Sequence, residues 1–363
     1  MKKKLLALLL CAVMAVSMTA CGGSGDQSAE STGLHFEVIV KSFQSTYWQA
    51  AVTGMENACD ELGVSATPNG PSIESAVAEQ IDMINAAIEA EPDGIAIAAC
   101  DTTAVLECLE KAKEKGIPVV CFDTGVPNAP EDSVYATVAT DNLAAGATAA
   151  ENMYPVIKEK IAAATVDAKV RIGEVNQDAV ALNIQERGLG FINKMIELIT
   201  ADGKTVAVVG NQFYVEACTA AGDEATAEVI IEVGVPTQTT VVDSTTVASS
   251  IMSKADTIAI FGSNQVTAEG ILGANDTLKV LSADPAQGIV AAGFDAGTPQ
   301  KEAINAGIFL GSVTQSPLMQ GYECIQTLYK ICQGEAVEDI PMNGYWYDTT
   351  NMTDSNIEPN LYD

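Results

Sequence analysis

Basic side chains and histidine are scarce in this 363-residue chain. It has one histidine, His35, two arginines, Arg171 and Arg187, and 18 basic residues against 48 acidic ones, a formal net charge of −30. Nucleic acid and other polyanions need a basic face, so no nucleic-acid partner is expected. A Ser-His-Asp triad or a multi-histidine zinc site would have to be built around one imidazole, at the very start of the folded part. Catalytic residues, a metal centre and a cofactor are therefore not expected. The chain also lacks GxSxG, HExxH and GxxxxGK[ST] motifs. None of its nine cysteines forms a CxxC pair. Once Cys11 and Cys21 are set aside for the reasons below, seven remain. An odd number in apolar patterns points to buried free thiols, not to a disulfide framework.

No apolar run reaches the ~20 residues that a membrane-spanning helix requires. The run Leu5–Ala20 follows Lys2, Lys3 and Lys4 and ends at Met18-Thr19-Ala20-Cys21. A positive head, an apolar middle and small residues before a cut describe a secretory signal. The end resembles a bacterial lipobox, with Met18 where leucine is usual. Residues 1–20 are accordingly read as a lipoprotein signal peptide. Cys21 is the expected lipidation site, which would anchor the protein to the outer face of the cell membrane. Residues 21–33 are the expected flexible tether, because Gly22–Gly33 (GGSGDQSAESTG) holds no apolar residue larger than alanine. Such a segment reaches roughly 20 Å on random-coil statistics.

What is plentiful is alternation. Short apolar runs at 36–40, 64–66, 95–99, 117–122 and 134–139 alternate with helical spacings such as Trp48, Ala51, Val52, Met55, Ala58, Cys59 and Leu62. The rhythm resumes at 170–175, 206–209, 257–261, 289–294 and 308–313, with helices near 180–200, 244–254, 265–275, 299–306 and 317–333. Strands alternating with helices imply parallel sheets covered on both faces. Two successive sets predict an α/β fold of two doubly wound, Rossmann-like lobes. An internal echo supports this: Phe122-Asp123-Thr124-Gly125 matches Phe294-Asp295-Ala296-Gly297. Ligands of open α/β sheets bind outside the carboxyl ends of the strands. Facing lobes would bring Asp123 and Asp295 to opposite walls of one cleft.

In order along the chain, Lys41–Trp48 (KSFQSTYW), Cys121–Thr124 (CFDT), Ala139–Asn142 (ATDN), Glu186–Phe191 (ERGLGF), Phe261–Asn264 (FGSN), Gly293–Asp295 (GFD) and Thr314-Gln315 resemble the sugar-type periplasmic-binding-protein family, the ribose-binding-protein-like receptors of ABC importers. The resemblance covers about 34–350. It implies the type I periplasmic binding protein fold, with an N-terminal lobe of 34–138 plus 314–340, a C-terminal lobe of 139–313 plus 341–363, and a hinge of three segments. It implies ligand-binding roles for Ser45, Tyr47, Trp48, Asp123, Thr124, Gln185, Asn264, Asp295 and Gln315. Carboxylates and amides suit the hydroxyls of a polyol, and aromatic rings suit the C–H face of a sugar. Ribose-type members carry arginines where this chain has Thr124 and Gln185, so a cleft with little positive charge and a small neutral sugar or polyol are expected. The expected function is an extracytoplasmic, lipid-anchored, monomeric receptor that delivers the sugar to an ABC permease, and not an enzyme. Two other readings are a sensing module for a membrane kinase, with a sugar or autoinducer-type ligand, and a carboxylate-dependent extracellular enzyme. Residues 211–236, which include Phe213 and Tyr214, exceed the family's usual connection and receive no assignment.

Overall fold

The computed structural model describes residues 33–362. The signal segment, Cys21 and nearly all of the tether lie outside the described residues. In chain order the elements are β1 (His35–Ile39), α1 (Thr46–Leu62), β2 (Ser65–Asn69), α2 (Val77–Glu89), β3 (Gly94–Ile97), α3 (Leu106–Glu114), β4 (Val119–Phe122) and β5 (Ala136–Thr140). A second series follows: α4 (Asn142–Ala163), β6 (Val170–Val175), α5 (Leu182–Ala201), β7 (Val206–Gly210), α6 (Gln212–Ala217), β8 (Val229–Gly234), α7 (Val241–Met252), β9 (Thr257–Gly262), α8 (Gln265–Leu278), β10 (Val290–Phe294), α9 (Thr298–Asn305) and β11 (Phe309–Thr314). The chain then adds α10 (Pro317–Cys332), β12 (Ile340–Met342) and β13 (Tyr345–Tyr347).

These strands make two sheets, ordered β12-β5-β4-β3-β1-β2 and β13-β11-β10-β9-β6-β8-β7. All pairings are parallel except β11 with β13. Parallel strands covered by helices are buried on both faces, and β3 and β4 are buried at every position. Helix α10 returns to pack on α1, and β12 joins the first sheet before β13 joins the second. The chain therefore passes between the sheets three times, near 141, 315 and 343.

The unassigned stretch builds structure of its own. It supplies α6 and β8, and β8 inserts between β6 and β7. Tyr214 on α6 is wholly buried in the second lobe's core, in the same apolar cluster as Phe191 and Ile192 of α5. Close helix contact in that lobe depends on small residues. A Cβ at Gly146 of α4 would lie 2.0 Å from the Arg187 carbonyl oxygen of α5. All seven cysteines among the described residues are free thiols, five of them buried. Among the described residues no helix is long and apolar enough to cross a membrane.

Candidate functional site

The carboxyl ends of the strands in both sheets face each other across one cavity. Its lining is Lys41, Ser45, Tyr47, Trp48, Glu74 and Asp123 from one lobe, Asn183, Ile184, Arg187, Asn264 and Asp295 from the other, and Gln315 at a crossing. The open space between them is about 20 Å³, room for little more than one water, so in this arrangement the polar side chains of the two walls meet one another.

Each lobe presents its aspartate in the same strained way. Asp123 follows β4 with φ 59°, and Asp295 follows β10 with φ 73°. Left-handed backbone is uncommon outside glycine, and such residues concentrate at ligand clamps. The Asp123 amide donates to the Val138 carbonyl at 2.9 Å and the Asp295 amide to the Val313 carbonyl at 2.7 Å, so the next strand holds each turn alike.

The two carboxylates differ in surroundings. Asp123 accepts from the Tyr47 hydroxyl (2.7 Å), the Asn183 amide (2.9 Å) and the Thr124 hydroxyl (2.9 Å). It also pairs with the Lys41 ammonium at 3.1 Å. Burial pushes its pKa up, but Lys41, Tyr47 and Arg187 outweigh burial and hold it below the ordinary range. Asp295 accepts from the Gln315 amide (2.7 Å) and the Gln265 backbone N–H (2.9 Å). There burial wins over Arg187, and the pKa is raised. Glu74 is raised too, by burial, although Lys41, the Trp48 indole and the Gln177 amide oppose it.

Lobe-to-lobe contacts close the cavity. Lys41 Nζ donates to Asn183 Oδ1 at 2.9 Å, and Gln177 Nε2 donates to Glu74 Oε2 at 2.8 Å. The Ser75 amide meets Thr239 Oγ1 at 2.8 Å on the rim. Asn264 caps α8 through Thr267 and bonds Gln177 with its amide. Ser45 stands at the start of α1, yet its hydroxyl makes no capping bond.

Of the nine residues chosen from the sequence, Ser45, Tyr47, Trp48, Asp123, Asn264, Asp295 and Gln315 line the cavity. Thr124 sits behind Asp123 and bonds it. Gln185 does not line the cavity: its amide donates to the Ala179 carbonyl at 2.7 Å. Helix α5 explains this, because Asn183 and Arg187 are four apart and share a face, whereas position 185 is turned away from it.

The expectation of little positive charge is corrected by Lys41 and Arg187, both 1% exposed. Sequence reasoning did not choose them, nor Glu74, Asn183 or Ile184. The Arg187 guanidinium stacks 3.6 Å above the Phe294 ring and donates to Ser263 O and Asn142 Oδ1. A signal for it existed: one of only two arginines stands inside the ERGLGF motif. With all five groups ionised the lining carries one net negative charge. Protonating Glu74 makes it neutral.

A periplasmic binding protein domain model matches residues 36–336. The chain belongs to that family. Its sugar-type branch fits the two parallel-sheet lobes. This binding protein is similar to a solved Brachyspira murdochii protein described as an ABC transporter, LacI family transcriptional regulator. They share 33% identity over 91% of this chain and 99% of that one, with a TM-score of 0.72. It is also similar to an ABC transporter solute binding protein from Agrobacterium vitis with bound D-fucose, at 26% identity over 90% and 100% of the chains and a TM-score of 0.74. A carbohydrate transporter solute binding protein from Agrobacterium radiobacter in complex with D-arabinose shares the fold, at 21% identity over 91% and 99% of the chains and a TM-score of 0.73. No curated protein matches the chain.

Proposed function

We propose that this binding protein is an extracytoplasmic solute receptor, anchored through lipid on Cys21, that captures a monosaccharide or small polyol between its lobes and passes it to an ABC permease. The polar interlobe cleft, with a strand-end aspartate presented from each lobe, carries this reading. It is polar on both walls, and it offers a free Ser45 hydroxyl and open acceptor positions on Asp295. Each carboxylate oxygen has two lone pairs, so Asp295 keeps room for ligand hydroxyls beyond Gln265 and Gln315. Tyr47 and Trp48 add ring surface to this polar lining. The D-fucose held by the Agrobacterium vitis relative supports a sugar as the solute class.

A ligand touching both lobes favours the closed arrangement by its differential contacts alone. The domain boundaries given above and a monomeric state are part of the proposal. Its test is calorimetry of the purified protein against a monosaccharide and polyol panel that includes D-fucose and D-arabinose. Asp123→Ala and Asp295→Ala are each expected to weaken binding by about 10- to 100-fold, the worth of a hydrogen bond to a charged group. No binding across the panel, or tight binding indifferent to both substitutions, would reject the site.

A further inference from the structure

The family match ends at residue 336, but the chain beyond it reaches the site. Strand β13 lies against β11 with Tyr347 opposite Ser312. Tyr347 is wholly buried, and its hydroxyl donates to the Asp295 carbonyl at 2.8 Å. From the other side, the Ala296 amide donates to the Tyr362 hydroxyl at 3.2 Å. Tyr362 is itself tied down, since Lys301 Nζ donates to its carbonyl at 2.8 Å. Just before it, the Thr314 hydroxyl donates to the Asn360 carbonyl and the Ser316 hydroxyl to Asn360 Oδ1, both at 2.6 Å. The Tyr362 ring meets Tyr47 of the opposite lobe edge-on, with centroids 6.0 Å apart. Two tyrosines thus grip the two sides of the Asp295–Ala296 peptide. That peptide belongs to the turn that holds a cavity carboxylate in left-handed backbone.

We propose that the segment 345–362 is a positioning element for ligand binding, with Tyr347 and Tyr362 fixing the Asp295 turn and Tyr362 coupling it to Tyr47 across the cleft. Neither tyrosine lines the cavity, so both act through Asp295 and Tyr47. Left-handed backbone at a non-glycine residue persists only where the surroundings over-determine it. The Asp295 turn receives part of that restraint from the segment that follows α10, beside the Ser312 hydroxyl (2.9 Å) and the Gln300 amide (3.3 Å), which also donate to the Asp295 carbonyl. The affinity half of this inference rests on the solute-receptor reading, whereas its structural half does not.

The test uses Tyr347→Phe and Tyr362→Phe, which keep the rings and remove one hydroxyl each. Amide exchange of the ligand-free protein reads the clamp directly. The Ala296 amide in Tyr362→Phe is expected to exchange about fivefold faster, as for one lost hydrogen bond. The Gln265 amide, which reports the Asp295 carboxylate, should quicken in both variants, with the Asp123 amide as the unaffected control. Calorimetry with D-fucose and D-arabinose should show about tenfold weaker binding in both variants, with the melting temperature lowered by only about 2–4 °C. An unchanged Gln265 amide in both variants overturns the clamp. Failure of the wild type to bind any sugar of the panel rejects the receptor reading, and the exchange result then decides the clamp alone.

Discussion

Lys41→Met is the most informative single change. Lys41 Nζ lies 3.1 Å from Asp123 Oδ2 and 2.9 Å from Asn183 Oδ1, and both lysine and aspartate are buried. At that separation a pair of unit charges attracts by about 5 kcal/mol for an effective dielectric near 20. Desolvation offsets much of this in the intact pair, but removing one partner leaves a buried charge uncompensated, at about 3–5 kcal/mol. Over domains of this size that is a fall in melting temperature of roughly 6–20 °C. The sign with pH follows from Asp123. In the wild type its folded pKa lies below the unfolded value, so its contribution is present above pH 4 and lost on acidification through the folded value. Without Lys41, burial dominates and the folded pKa moves above the unfolded one. Stability is then lost as pH rises, and Glu74, which also faces Lys41, shifts the same way. The deficit of Lys41→Met should therefore shrink between pH 7 and pH 5. Urea unfolding of Lys41→Met, Asp123→Asn and the double variant at both pH values measures it. The double variant should recover about 2 kcal/mol or more relative to the sum of the singles. A single variant that loses under ~1 kcal/mol, or a deficit independent of pH, would refute the reasoning.

Three further outcomes are expected. Ser45→Ala should change stability by under ~0.5 kcal/mol, because no capping bond is lost, while weakening sugar binding severalfold in calorimetry. Gly146→Ala should cost about 1–3 kcal/mol in thermal unfolding, since the new methyl meets the Arg187 carbonyl across α4 and α5, and an unaffected melting temperature would contradict that packing. Glu174 is wholly buried, neither of its oxygens has a hydrogen-bond partner, and burial raises its pKa well above the usual range. The wild type then loses stability as pH rises through that window, by up to ~1.4 kcal/mol per unit, and Glu174→Gln should remove that slope, so parallel pH–stability curves would exclude the assignment.

The fold was legible wherever a strand and its helix were long enough to show a period. The runs at 95–99 and 257–261 stand as β3 and β9 within a few residues. What escaped was short or unframed. Strands β12 and β13 have three residues each, too few for any period. The apolar run of β8 was present as Val229–Gly234, but the six-residue α6 before it is too short to announce a strand–helix–strand unit. In the site, the repeated Phe-Asp turns found both aspartates. The partners that set their charge states arrive from elsewhere: Lys41 from the end of β1, Glu74 from the loop before α2, and Arg187 from the middle of α5. Linear spacing carries no record of such convergence.

The left-handed turns at Asp123 and Asp295 have a consequence for engineering. Glycine adopts that backbone at no steric cost, so the conformation at both positions is one that the fold would hold more easily without a side chain. Selection for thermal tolerance alone would therefore pull Asp295, where burial already disfavours the charge, toward glycine and empty that wall of the cleft, whereas at Asp123 the loss of the buried Lys41 pair outweighs the backbone gain. A library meant to harden this scaffold as a biosensor needs the Asp295 codon frozen, and a variant that melts later but no longer responds to solute should be sequenced there first.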